Sequence, residues 1–160
     1  MAENNLSYIV NLRESLKPEK RHMPLIQDGA AVIIINEKNQ ILLQSRVDRD
    51  LWGLPGGTQD YKERFEEVAI REVKEETNLD IKEEDLELVT IVSGESRCNT
   101  YPNGDEVCNN TVLYSCSKYT GKLQCGDESR KLEFFDTDKL PVNLMDADCI
   151  NAYLKSIKKK

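Results

Sequence analysis

The sequence predicts an α/β (α+β) fold in which a mixed β-sheet carries helices on its faces. Strand-like runs dominate the middle of the chain, and helical stretches interrupt them irregularly rather than in strict alternation. No internal repeat or low-complexity linker divides the 160 residues, one domain's worth of chain. The expectation is a single domain over residues 1–160, with a helical N-terminal extension at residues 1–24.

The stretch "LSYIVNLRESLKPEK" reads as a short helix, with apolar residues at Ile9, Leu12 and Leu16 and a stop at Pro18. In "DGAAVIIINEKNQILLQSR" two strands flank a polar turn at residues 37–40. The loop "VDRDLWGLPGG" follows, and a helix is expected over about residues 63–77. "LELVTIVSG", "EVCNNTVLYSCSKY" and "KLEFFD" read as strands. "YPNGDE" reads as a turn whose Asn103-Gly104 pair suits positive φ. "DADCINAYLKSIKKK" is a terminal amphipathic helix ending in solvated lysines.

Composition excludes several function classes. The 29 acidic and 22 basic side chains give a net charge of -7, with 39% hydrophobic and 32% charged residues. That is globular rather than disordered. Sustained nucleic-acid binding, which needs clustered Lys and Arg, is not expected. Neither is a membrane span, since nowhere do 18 apolar residues follow one another. The start "MAENNLSYIV" lacks a basic leader and a long apolar run, so no signal peptide is expected. Cys98, Cys108, Cys116, Cys125 and Cys149 form an odd set without a C-x-x-C pair, read as reduced thiols of a cytoplasmic protein. A zinc site from Cys98, Cys108, Cys116 and Cys125 would lack the usual close spacing. His22 is the only histidine, so a histidine base is a poor basis for any mechanism.

The helix over residues 63–77 misplaces its charges. With Glu72 as origin, Phe65, Val68, Ala69 and Val73 define an apolar stripe centred at about 35°, and Glu76 falls inside it at about 40°. Glu75 lies at its edge, whereas Glu66 and Glu67 sit away from Glu72 as ordinary solvated charges would. Three carboxylates near a helix C-terminus repel one another and the dipole, and partial burial adds desolvation. Pairing with Arg71, Lys74 and Lys82 in solvent would relieve this. So would a hard divalent cation, Mg²⁺ or Mn²⁺. Just upstream, "GLPGG" supplies Gly53, Gly56 and Gly57, which allow backbone N–H groups to approach a phosphate. A glycine loop, a helix and clustered carboxylates together describe a phosphate-handling site with its own metal ligands.

These residues resemble the Nudix box, G-x5-E-x7-R-E-U-x-E-E-x-G-U with U aliphatic. Gly57, Glu63, Arg71, Glu72, Val73, Glu75, Glu76 and Leu79 occupy its fixed positions, and Asn78 replaces the last glycine. Asn is the next-best residue for the left-handed conformation that closes a helix. Lys62 also stands where many members carry glycine. The resemblance covers about residues 25–141, and it implies an α/β/α sandwich. It also implies cleavage of a nucleoside diphosphate linked to another group X. By position, Glu72, Glu75 and Glu76 would be metal ligands, and Glu63 and Arg71 would brace the loop on the helix. Gly57 would face the site through its carbonyl or N–H, as a candidate metal ligand as well as a substrate-binding residue beside Gly56. A further acidic ligand from a later loop would be Glu128, or else Glu133. Glu75, Glu76 or Glu128 would serve as base. Outside the box, residues 93–97 including Arg97, Tyr101 and the apolar residues around Ile33 are candidates to hold the nucleobase. ADP-ribose or another nucleoside diphosphate sugar is the expected substrate class. Cleansing of oxidised or non-standard nucleoside triphosphates ranks next and RNA decapping low, and a non-catalytic nucleotide-sensing module is the rival from another class. The segment before Leu25 could pack across a homodimer interface.

Overall fold

A computed structural model describes residues 8–47 and 50–159. The elements, in order, are α1 (Tyr8–Ser15), β1 (Leu25–Ile34), β2 (Ile41–Arg46), β3 (Trp52–Gly53), β4 (Gly56–Thr58), α2 (Phe65–Thr77), β5 (Glu87–Val92), β6 (Cys98–Thr100), β7 (Glu106–Cys116), β8 (Ser129–Phe135) and α3 (Ala147–Lys158). β1 and β7 are central and parallel, from Leu25 opposite Val107 to Ile34 opposite Cys116. Antiparallel pairing adds β4 beside β1, and β5 and β6 along β7, giving a mixed five-stranded sheet ordered β4-β1-β7-β5 with β6 off that path.

The strands on either side of the turn at residues 37–40 part company. β1 stays in the large sheet, while β2 joins β3 and β8 in a second, antiparallel sheet. An isolated bridge, Ile35 to Ile41, connects their ends. Alternation along the strands then builds two cores. Ala30, Val32, Ile34, Leu42, Val112 and Tyr114 face α2 through Val68, Ala69 and Val73. Ala31, Ile33, Ile41, Leu43 and Leu113 face α3 through Cys149, Ile150 and Tyr153. Strands buried on both faces read as continuous apolar runs, and "AAVIII" is one. Of the apolar residues around Ile33, Ile33 itself is fully buried on the α3 side, whereas Ala30 and Ala31 reach a cleft beside β4. No helix among the described residues is long and apolar enough to cross a membrane.

Two further expectations are corrected. The N-terminal helix ends at Ser15, and its anchor is polar rather than apolar: Arg13 is its buried residue. The Arg13 guanidinium donates to the carbonyls of Arg21, Met23 and Glu106, each at 2.8 Å. Three accepting carbonyls replace the water a buried guanidinium loses. Nor are all five thiols reduced. β6 and β7 place Cys98 opposite Cys108, and the two form a disulfide. The four-cysteine zinc site falls with it, since Cys116 is buried and Cys125 exposed on a separate loop.

Candidate active site

α2 is built to stop sharply and to carry a polar edge. At its start the Glu67 carboxylate accepts the Arg64 N–H at 3.1 Å, favourable near the positive end of the dipole. At its end Asn78 takes the left-handed conformation, φ 66°, and donates its N–H to the Lys74 carbonyl at 3.0 Å. Lys62, at the other box departure, also adopts φ 65°, so the loop keeps a glycine-like turn without glycine.

Arg71 gathers the loop onto the helix. Its Nε and Nη2 donate to the two oxygens of Glu63 at 2.6 and 2.8 Å, a two-pronged charge-assisted pair. Nη1 donates to Glu72 at 2.8 Å and Nη2 to the Thr58 carbonyl at 3.0 Å. Arg71 holds the Glu63 carboxyl below the usual carboxylate range. The same contact keeps the guanidinium charged.

Beyond this brace, Glu76 is 4% exposed, in line with Val68, Ala69 and Val73. Its Oε2 accepts from Gln44 Nε2 at 2.5 Å and from the Gly56 N–H at 3.1 Å. Gln44 is itself fixed by the Ser129 hydroxyl, which donates to its Oε1. Burial pushes the Glu76 carboxyl well up, and the neighbouring Glu72 charge pushes it further. Glu72 is raised as well, first by burial and against the pull of Arg71. The Glu72 carboxyl lies against Gly57, where any Cβ would overlap it. Gly57 itself is a ladder position opposite Ala30. Glu75 is largely solvent-facing, 3.5 Å from Arg71.

Of the later acids, Glu128 precedes β8 on a segment drawn to the end of α2. Gly126 donates its N–H to the Glu76 carbonyl at 3.3 Å, and Glu128 lies 3.8 Å from Arg46. Glu133 is instead exposed beside Lys131, on the strand face opposite the core residue Leu132.

A cleft of about 220 Å³ adjoins the carboxylates across β4. The candidates Gly56, Gly57, Arg97 and Tyr101 all line it, joined by Gln27, Arg46, Asn109 and Thr111. Arg97 is committed to neighbours: it donates to Asp146 at 2.9 Å, Asp148 at 3.2 Å and Thr111 at 3.0 Å. A larger hollow of about 700 Å³ mixes Lys38, Lys82 and Lys118 with Glu37, Asp80 and Asp85, and holds none of the box carboxylates.

The sequence reading missed Gln44, Ser129 and Asp146. Asp146 accepts the Leu54 N–H at 2.8 Å and so fixes the glycine loop from its far side. Nothing local marks these residues, because each reaches its partner across the fold. Asp146, Asp148 and Cys149 also converge, but Arg97 already bonds both acids and offsets part of their charge. Burial pushes the Cys149 thiol up to about 12, so it stays protonated and a poor ligand. The α2 carboxylates fit a divalent ion better. Glu72 and Glu76 are desolvated neighbours that share limited positive charge, and all their donors are hard oxygens suited to Mg²⁺ or Mn²⁺.

This geometry agrees with the comparisons. The NUDIX domain family model matches residues 25–154, and the chain belongs to the NUDIX family. An ADP-ribose pyrophosphatase of Methanocaldococcus jannaschii is 33% identical over 123 residues, 75% of this chain and 66% of that protein. A Bacillus subtilis protein provisionally named 8-oxo-dGTP diphosphatase is 57% identical over 49 residues, 31% of this chain and 33% of that one. The chain thus spans two thirds or less of these relatives. Among solved structures, a MutT NUDIX hydrolase from Burkholderia pseudomallei superposes with a TM-score of 0.64 at 26% identity, over 80% of this chain and 96% of that one. The NUDIX domain of Shewanella oneidensis NrtR, complexed with ADP ribose, shares the fold with a TM-score of 0.65 at 19% identity, covering 95% and 99%.

Proposed function

We propose that this chain hydrolyses the pyrophosphate bond of a nucleoside diphosphate linked to X, with ADP-ribose or another nucleoside diphosphate sugar as substrate. The observation that carries the proposal is buried Glu76 beside half-buried Glu72, whose carboxyl lies against Gly57 while Glu76 accepts the Gly56 N–H. Such a pair is costly unless a cation joins it. The name of the Methanocaldococcus relative supports the sugar-nucleotide class.

In this reading Glu72, Glu76 and the more exposed Glu75 hold Mg²⁺ or Mn²⁺, with Glu128 as a further ligand from the loop before β8. When bound, the ion neutralises diphosphate charge and acidifies a water. Gly56 and Gly57 let the diphosphate approach the backbone, and Arg71 and Glu63 keep that loop in place. Glu75, Glu76 or Glu128 takes the proton as water oxygen bonds to one phosphorus. The bridging P–O bond breaks, leaving a nucleoside monophosphate and X-phosphate. Tyr101 and Arg97 border the nucleoside.

A phosphatase-coupled phosphate-release screen over nucleoside diphosphate derivatives, with and without Mg²⁺, tests this. Metal-dependent release of monophosphate and sugar phosphate is expected. Pyrophosphate from triphosphates instead would favour the cleansing activity named for the Bacillus relative. Binding without turnover across the panel would overturn the catalytic reading in favour of a sensing module.

A further inference from the structure

We infer that Gln27, oriented by Asn109, is a specificity-determining residue that accepts a hydrogen bond from an amino group on the nucleobase. The inference rests on the nucleotide reading above and deepens it.

The parallel register of β1 and β7 places Gln27 opposite Asn109 and Gly29 opposite Thr111. Residues 27, 29 and 31 of β1 share a face, as do 109 and 111 of β7. Gln27, Ala31, Asn109 and Thr111 accordingly all line the cleft. Gln27 Nε2 donates to Asn109 Oδ1 at 2.5 Å, and Asn109 Nδ2 donates to the Arg97 carbonyl at 3.3 Å. The order of this relay is not free. A backbone carbonyl only accepts, so Asn109 must turn its nitrogen to Arg97 and its oxygen to Gln27. Gln27 must then spend its nitrogen on Asn109, which leaves Oε1 unpaired.

That oxygen is one of two buried side-chain polar atoms without a hydrogen-bond partner among the described residues. The other is Arg97 Nε, and both belong to residues of this cleft. Buried acceptors are nearly always satisfied, so one left over at the end of a directed relay calls for a donor. The position suits a base. Ala30, opposite Gly57, lies three residues from Gln27, about 10 Å along the strand at about 3.3 Å per residue. A diphosphate at Gly57 therefore leaves room for a ribose before Gln27 is reached. Tyr101 lines the same cleft, and an aromatic residue there suits a base. A 6-amino purine brings a donor to Oε1, whereas a 6-oxo purine brings a second acceptor to the same place and is rejected.

The test compares ADP-ribose with its 6-oxo counterpart, inosine diphosphate ribose, on wild type and Gln27→Met, by kcat/KM with Mg²⁺ and by calorimetric Kd. Wild type should prefer the amino compound by about tenfold or more, the equivalent of one net hydrogen bond. In Gln27→Met the ratio should fall to about one, through a higher KM for the amino compound with kcat little changed. If the methionine variant does not fold, Gln27→Ala takes its place. A wild-type ratio of one, by Kd or kcat/KM, overturns the inference, as does a folded variant that keeps the wild-type ratio. Selective binding without hydrolysis would overturn the catalytic reading and support this one; binding of neither compound would overturn both.

Discussion

Glu76 and Gly57 show how single residues set the character of the site. Glu76 occupies a position that the α2 packing assigns to an apolar side chain, and it is held there by Gln44 and the Gly56 N–H. Without metal, its charge opposes folding. Glu76→Gln should therefore stabilise the metal-free protein by roughly 1–3 kcal/mol, read as a raised urea midpoint, while turnover falls by about 10²–10⁴-fold. A metal-free midpoint lower than wild type would refute the assignment of strain to this carboxylate. Gly57→Ala tests the other partner. A methyl group there displaces the Glu72 carboxyl, so activity should fall sharply while the far-UV CD spectrum stays unchanged. Full activity would mean that the contact between Gly57 and Glu72 does not matter.

At the scale of elements, the unit is the glycine loop clamped to α2. Glu63 and Arg71 are separated by more than two helical turns of sequence, yet they meet in a two-pronged pair. Glu63→Gln should cost about 1.5–3 kcal/mol near neutral pH. The sign with pH follows from the direction of the shift. Because the folded carboxyl is held below its ordinary value of 4.5, the pair's contribution is present above that value. It is lost as pH falls through the folded value. The Tm gap between wild type and Glu63→Gln should thus narrow in acid, and a gap independent of pH would contradict the clamp. Much of this element was legible in sequence. Glu76 in the apolar stripe, Gly57 before the helix and Asn78 at its end are local features of spacing and backbone preference. Gln44 and Ser129 were not legible, since they come from β2 and β8 and meet Glu76 only after the second sheet has formed. Arg13 hid for a similar reason: its partners include the Glu106 carbonyl, 93 residues away.

On the scale of the whole molecule, two cores of opposite parity hold α2 and α3 on either side of shared strands, and the cleft opens beside β4. Apolar runs announced buried strands, but they could not say that β1 and β2 belong to different sheets. Pairing partners are set by contacts distant in sequence. The same limit concealed the Cys98–Cys108 bond, which depends on the β6–β7 register. With a sequence separation of 10, its reduction should cost about 3 kcal/mol by chain entropy. Dithiothreitol should lower the urea midpoint of wild type and leave a Cys98→Ser/Cys108→Ser double variant unmoved; equal midpoints for wild type with and without reductant would remove the bond from the account.

In the proposed site, buried Glu76 and half-buried Glu72 are neighbouring acids that a cation would make tolerable. Calorimetric titration of Mn²⁺ into wild type and a Glu72→Gln/Glu76→Gln double variant tests this most directly. Wild type should bind with proton release, and more tightly as pH rises, because both carboxyls must ionise first. The double variant should give no binding isotherm. Equal affinities for the two proteins would contradict the account.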